Sequence, residues 1–248
     1  MTQLKSSPNS NLSSEKTDEL SSRVSPWLAR LLYPLGCHIV IPGFFGKIEI
    51  TGQENIPLQD PVIIAPTHRS RWDAVIVPYA VGRLVSGRDL RFMVSADEMR
   101  GIQGWFVRRF GGFAVDTRRP TVTSLRHGVE LLQKGEVLVI FPEGNIFRQR
   151  QIQPLKPGLA RLAIQAEADR PGLGVQVVPI VVDYSQTMPG WGCNVRIGVA
   201  PPLSVSRYCQ GPNKQGALKL TADLEAALKA VLTEIGFYDP RASIKPPR

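Results

Sequence analysis

Short runs rich in β-branched residues alternate with amphipathic stretches along most of this chain, and that alternation limits it to a sheet covered by helices. Strand-like runs fall at Ile48 to Thr51, Val62 to Ala65, Phe92 to Val94, Val137 to Phe141, Val175 to Val182 and Val195 to Val199. They are too short for typical helices and are set off by glycine and proline. Helical patterns occupy Trp72 to Val85, Thr121 to Lys134, Pro157 to Ala168 and Ala217 to Ile235, with Gly135 and Gly236 as stops. In the last of these Leu220, Leu224, Leu228, Val231 and Ile235 recur at helical spacing, so one face packs on the body. The order predicts an α/β fold, a mixed, largely parallel sheet covered by helices on both faces. The chain has 248 residues, enough for one such domain with a substantial core.

The N-terminal region breaks the pattern. Residues 1–25 contain eight serines and few apolar residues, which predicts a disordered tail and no signal peptide. Residues 26–46 turn apolar, but Arg30, Pro34, His38 and Pro42 interrupt them. A bilayer-spanning helix needs about 20 predominantly apolar residues, so this segment reads as an interfacial, membrane-associating anchor instead. Trp27, Tyr33, Phe44 and Phe45 suit a headgroup boundary. A helix packed into the core is the competing reading. The folded domain then covers 47–240.

Thr67-His68-Arg69-Ser70-Arg71-Trp72-Asp73 follows directly on an apolar strand. On one continuous helix His68 and Asp73 would lie about 140° apart. They meet only if His68 precedes the helix and Asp73 sits in its first turn, where a negative charge is favoured. Asp73 then orients one ring nitrogen and leaves the other to take a proton from a hydroxyl. A second strand ends in Phe141-Pro142-Glu143-Gly144, a turn that holds a carboxylate able to bond a substrate hydroxyl or pair with an arginine. A third segment runs from Gly111-Gly112 through a short apolar stretch to Arg118-Arg119. Arginine offers a planar fork that matches phosphate oxygens.

Other chemistries find no support. Cys37, Cys193 and Cys209 lack metal or disulfide spacing, and no G-x-S-x-G elbow or P-loop is present. His38, in an apolar stretch, and His127, inside an amphipathic helix, read as structural. The net charge of +9 favours anionic partners, but no zinc-finger, homeodomain or RNP-like signature directs it to nucleic acid.

Together with the strand Val177 to Val182 that contains Pro179, these segments resemble, in order and separation, the four motif blocks of the glycerolipid acyltransferases. The resemblance is specifically to the 1-acylglycerol-3-phosphate acyltransferase family and covers about residues 45 to 200. It implies an acyltransferase domain at 47–240 that moves a fatty acyl chain from a thioester carrier, acyl-CoA or acyl carrier protein, to the free hydroxyl of a lysophospholipid. The product would be phosphatidic acid, in phospholipid biosynthesis. The resemblance makes His68 and Asp73 the catalytic pair and places Glu143, Gly144, Arg148 and Lys156 against the acceptor. Arg118 fits the phosphate-binding position, six residues after Gly112, with Arg119 in reserve. Pro179 marks the fourth block, at the acyl pocket. Oxyanion donors are expected among the backbone N–H groups near the helix start. No metal or redox cofactor is implied, and the enzyme is expected on the membrane surface, peripheral or monotopic, with its active site facing the cytoplasm. Two departures, Thr117 between Asp116 and Arg118 and Asn145-Ile146-Phe147 after Gly144, keep another lysophospholipid or glycerol 3-phosphate open as acceptor. A catalytically silent lipid-binding protein is the alternative from another class.

Overall fold

The computed structural model describes residues 26–95, 104, 107–109, 111–115 and 122–237. Helix α1 (Pro26–Leu35) continues through a π-helical turn (Gly36–Val40) into the short α2 (Ile41–Phe44). Strands β1 (Ile48–Thr51) and β2 (Val62–Pro66) precede α3 (Asp73–Val81) and α4 (Arg83–Ser86). Then come β3 (Leu90–Ser95), β4 (Gly112–Val115), α5 (Val122–Gln133), β5 (Val137–Val139) and α6 (Gly158–Asp169). The chain closes with β6 (Gln176–Tyr184), β7 (Val195–Val199), β8 (Leu203–Ser204) and α7 (Asn213–Ile235).

The strands form one sheet in the order β1-β7-β6-β2-β5-β3-β4, with β8 pairing with the start of β6. The β2–β5, β2–β6, β3–β5, β3–β4 and β1–β7 pairs are parallel, and among the described residues only the β6 pairings with β7 and β8 are antiparallel. Every residue of β2 is buried, as a strand covered on both faces requires. Alternation splits the core accordingly. Ile63 and Ala65 join α5, α6 and α7 on one face, whereas Val62 and Ile64 join α3, Ile41 and Phe45 on the other. The expected mixed, largely parallel α/β architecture is present.

Four local readings change. The helix expected over Trp72 to Val85 is two helices, because the chain turns extended at Gly82, whose N–H closes on Pro78 O. A Cβ at Gly82 would sit 2.5 Å from that same carbonyl. Gly112–Val115, expected only as an apolar stretch, is a strand registered against β3. The expected anchor is divided: Cys37, Ile41 and Phe45 are buried, while Leu31, Leu35, Ile39 and Val40 are exposed. Phe45 therefore belongs to the core, packed edge-on against Trp72, and not to a headgroup boundary. Arg88, a residue type usually left on the surface, instead donates to the backbone carbonyls of Pro57, Asp60 and Gly135 and staples three loops together. The tail 1–25 lies outside the described residues.

Candidate active site

The site lies beyond the C-terminal ends of the parallel strands, where open α/β sheets bind ligands. Thr67 fixes the exit from β2. Its N–H donates to Ile180 O at 2.9 Å, and its hydroxyl both donates to Val182 O and accepts from Val182 N. The chain then needs one turn, Ser70 to Asp73, to open α3. His68 consequently precedes the helix and Asp73 is its first residue, the arrangement that their spacing demands. His68 Nδ1 lies 2.9 Å from Asp73 Oδ2.

Asp73 is wholly buried yet fully bonded. Oδ2 also accepts from the N–H groups of Arg69 (2.6 Å) and Ser70 (2.8 Å), and Oδ1 accepts from the Tyr184 hydroxyl (2.7 Å). An ionised carboxylate only accepts, so His68 Nδ1 carries the proton, and in the neutral ring Nε2 then keeps the lone pair. Burial, and secondarily the charge of Asp73, holds the Tyr184 phenol well above its ordinary pKa, so it remains a donor. The His68 ring stacks on Phe141, with centroids 4.0 Å apart, and its side chain keeps 19% exposure. The inner edge is thus held by Asp73 while the ring remains reachable.

Glu143 is a correction. Expected as an acceptor ligand, it has a side chain with no exposure, and its carboxylate is occupied by the protein. Arg69 Nη1 donates to both oxygens (3.0 and 2.8 Å), the His68 N–H to Oε2 (2.9 Å) and the Gln153 N–H to Oε1 (3.0 Å). Glu143 therefore positions the His68 backbone and anchors Arg69. The same Nη1 also donates to Phe147 O (3.2 Å) and Nη2 donates to Gln151 O (3.1 Å), closing the loop after Gly144 over the pair. Phe147 N in turn donates to His68 O at 2.8 Å.

Gly144 follows with φ +72°, and a Cβ there would meet the Lys156 side chain at 2.6 to 2.7 Å. The Lys156 N–H bonds Pro142 O at 2.8 Å, so the exposed lysine lies across the glycine. Arg148 is exposed and borders a small depression with Arg69, Arg150, Asp183, Tyr184, Gln186 and Thr187. Arg118 and Arg119 lie outside the described residues.

Pro179 does not reach the site. It is buried mid-strand opposite Ala65, three residues before Val182, and by alternation faces the α6–α7 side with Val177 and Val181. The expected oxyanion donors are also largely committed. The N–H groups of His68, Arg69, Ser70, Trp72 and Asp73 go to Glu143, Asp73, Asp73, Ser70 Oγ and Ser70 O, because Asp73 draws the helix start onto itself. His38 is exposed, and His127 packs edge-on against Phe113. The three cysteines are free.

The histidine and aspartate joined across a helix start, braced by a buried carboxylate from the adjacent strand, invite comparison with known enzymes. The acyltransferase family model matches residues 47–183, from β1 to the end of β6. The chain belongs to the acyltransferase family. Among its relatives, the 1-acyl-sn-glycerol-3-phosphate acyltransferase of Bacillus subtilis is 29% identical over 195 residues, covering 77% of this chain and 90% of that protein. The Streptococcus pneumoniae enzyme of the same name is 26% identical over 167 residues, and this chain spans 57% of its length. The human mitochondrial glycerol-3-phosphate acyltransferase 1 is 22% identical over 230 residues, 27% of its length. The crystal structure of the 1-acyl-sn-glycerophosphate acyltransferase PlsC of Thermotoga maritima superposes with a TM-score of 0.58 at 20% identity, covering 76% of this chain and 72% of that one, and shares the fold.

Within this acyltransferase two residues of the site escape a reading by motif. Arg69 sits between His68 and Asp73 at a position the motif leaves unspecified, and Tyr184 lies two residues beyond the apolar run of β6. The signal for Arg69 was available: a cation beside His68 and a carboxylate at the end of another buried strand need each other once both are inside. No local signal marks Tyr184.

Proposed function

We propose that this chain transfers a fatty acyl group from a thioester, acyl-CoA or acyl carrier protein, to the free hydroxyl of 1-acylglycerol 3-phosphate, giving phosphatidic acid. The observation that carries this reading is the His68–Asp73 pair at 2.9 Å on a partly open imidazole in an acyltransferase domain. His68 Nε2 takes the acceptor hydroxyl proton as that oxygen attacks the thioester carbon. The tetrahedral intermediate then collapses, the C–S bond breaks, and the imidazolium returns the proton to the departing thiolate. Asp73 holds the tautomer and stabilises the imidazolium. The step needs no metal or redox cofactor.

The acceptor phosphate is assigned to Arg118, with Arg119 in reserve, and to the exposed Arg148 and Lys156. The protein works at a membrane surface as a peripheral or monotopic enzyme facing the cytoplasm. Leu31, Leu35, Ile39 and Val40, with Val75, Leu84 and Val85, supply exposed apolar side chains for that contact. Among the described residues no helix is long and apolar enough to cross a membrane. The glycerol-3-phosphate acyltransferase relative supports a second reading, the same chemistry on glycerol 3-phosphate.

The test is acceptor-dependent thiol release from a long-chain acyl thioester, offered 1-acylglycerol 3-phosphate, its phosphate-free counterpart and glycerol 3-phosphate. The natural protein should prefer 1-acylglycerol 3-phosphate, and His68→Ala should lose a factor on the order of 10² to 10⁴ in kcat with the fold intact. An undiminished rate in that variant removes His68 as the base. Preference for glycerol 3-phosphate selects the second reading.

A further inference from the structure

Asp73 receives its fourth hydrogen bond from outside the motif that defines it. Tyr184 closes β6, is 3% exposed, and lays its ring near Phe45 (6.2 Å between centroids) so that its hydroxyl donates to Asp73 Oδ1 at 2.7 Å. Its own carbonyl is gripped by Arg150 Nη2 at 2.7 Å, and the same guanidinium reaches Asp183 Oδ1 at 3.5 Å. The strand end that carries Tyr184 is therefore tied to the loop that follows Phe141-Pro142-Glu143-Gly144.

We propose that Tyr184 is a positioning residue that sets both the orientation and the basicity of His68 through Asp73. The inference rests on the acyl-transfer reading for its kinetic consequence, but not for its electrostatic one. Without the phenol, Oδ1 of Asp73 loses the donor that holds it, and the carboxylate can rotate about the contacts held by Oδ2. A donor on a carboxylate also disperses its charge. Removing that donor concentrates charge on the oxygen facing Nδ1–H and favours the imidazolium, so the His68 pKa rises. A base that stays protonated to higher pH is inactive over more of the neutral range.

The groups around this dyad are identifiable. Glu143 faces the His68 backbone but is paired with Arg69, whose guanidinium points to Glu143, Phe147 O and Gln151 O. Arg150 and Asp183 sit behind Tyr184 and pair with each other, and Cys193 lies near the Tyr184 ring. Among these groups Tyr184 is the side chain that bonds Asp73 Oδ1 directly.

Tyr184→Phe keeps the ring and its packing. The full chain has three histidines, so imidazole NMR can follow His68, assigned by its loss in His68→Ala. The expected result for Tyr184→Phe is a rise of about 0.5 to 1 pH unit in the His68 titration, matched by the acid limb of kcat. A fall of about 3- to 30-fold in kcat, with KM little changed, should accompany it, less than loss of the base itself. An unmoved titration, with or without a lower Tm, overturns the proposal and leaves Tyr184 a core residue. Absence of thiol release from the natural protein would sink the acyl-transfer reading instead, and the NMR shift would still decide the case for Tyr184.

Discussion

Replacing Arg69 with methionine tests the brace beneath His68. The Arg69 side chain is 5% exposed and the Glu143 side chain has no exposure, so the pair lies in the interior. Arg69→Met keeps the aliphatic volume and removes the guanidinium. Glu143 then retains only the His68 and Gln153 N–H groups, while Phe147 O and Gln151 O lose their donor. Breaking a buried ion pair from one side costs about 3–5 kcal/mol, because an unpaired charge stays buried. For a chain of this size each kcal/mol lowers Tm by roughly 2–4 °C, so a drop of about 6–20 °C follows. In the double variant Arg69→Met, Glu143→Met no charge is left to strand, and the loss should be smaller than for Arg69→Met alone by about 1–3 kcal/mol. Urea or thermal unfolding followed by circular dichroism reads the natural protein, Arg69→Met, Glu143→Met and the double variant. Additive losses in the double variant, or a single-variant loss below about 1 kcal/mol, the size of a surface ion pair, would refute the account of Arg69 and Glu143 as one buried unit.

Gly144→Ala forces a side chain into a backbone at φ +72° and against Lys156, so a loss of about 1–3 kcal/mol in stability and a clear drop in turnover are expected; unchanged unfolding and activity would remove the tight approach as the reason for glycine there. Burial pushes the His127 pKa below its ordinary value, so the unfolded chain binds the proton more readily and stability falls as pH drops through about 6.5. Unfolding measured between pH 7.5 and 5 should therefore slope less in His127→Gln than in the natural protein, and equal slopes would refute the assignment.

Local chemistry was legible in the sequence and neighbour order was not. His68 and Asp73 are five residues apart, so the requirement that one precede the helix and the other begin it could be read from the helical repeat alone. Glu143 and Arg69 are 74 residues apart, and they meet only because β2 and β5 are adjacent in register, Val62 opposite Val137. Apolar periodicity gives strands without giving that order. Glu143 therefore read as a ligand when it is an inward anchor. Tyr184 is 111 residues from Asp73 and reaches it through the β2–β6 pairing. The break in the helix at Gly82 and the strand at Gly112 both turn on glycines where a Cβ would run into Pro78 O and Val107, close approaches that periodicity does not register. Phe45 was misplaced because an apolar segment looks the same whether it covers a core or a membrane.

The two buried carboxylates divide the work in a way that also constrains the substrate. Asp73 is solvated by hydrogen-bond donors and keeps its charge available to the His68 imidazolium. Glu143 faces a full cation, so its charge is cancelled locally and an anionic acceptor approaching His68 meets little repulsion from it. Arg69 is the arginine nearest to the base in sequence, yet its guanidinium donates to Glu143 and two backbone carbonyls. A phosphate cannot use that guanidinium without exposing the carboxylate beneath it. The cations that bind an acceptor phosphate must therefore come from residues outside the brace. Arg148 and Lys156, both exposed and both on the segment that Arg69 and Glu143 fasten down, meet that condition. The ion pair thus holds the backbone of His68 and, through the same contacts, the loop on which Arg148 and Lys156 sit, the cations proposed for the acceptor phosphate.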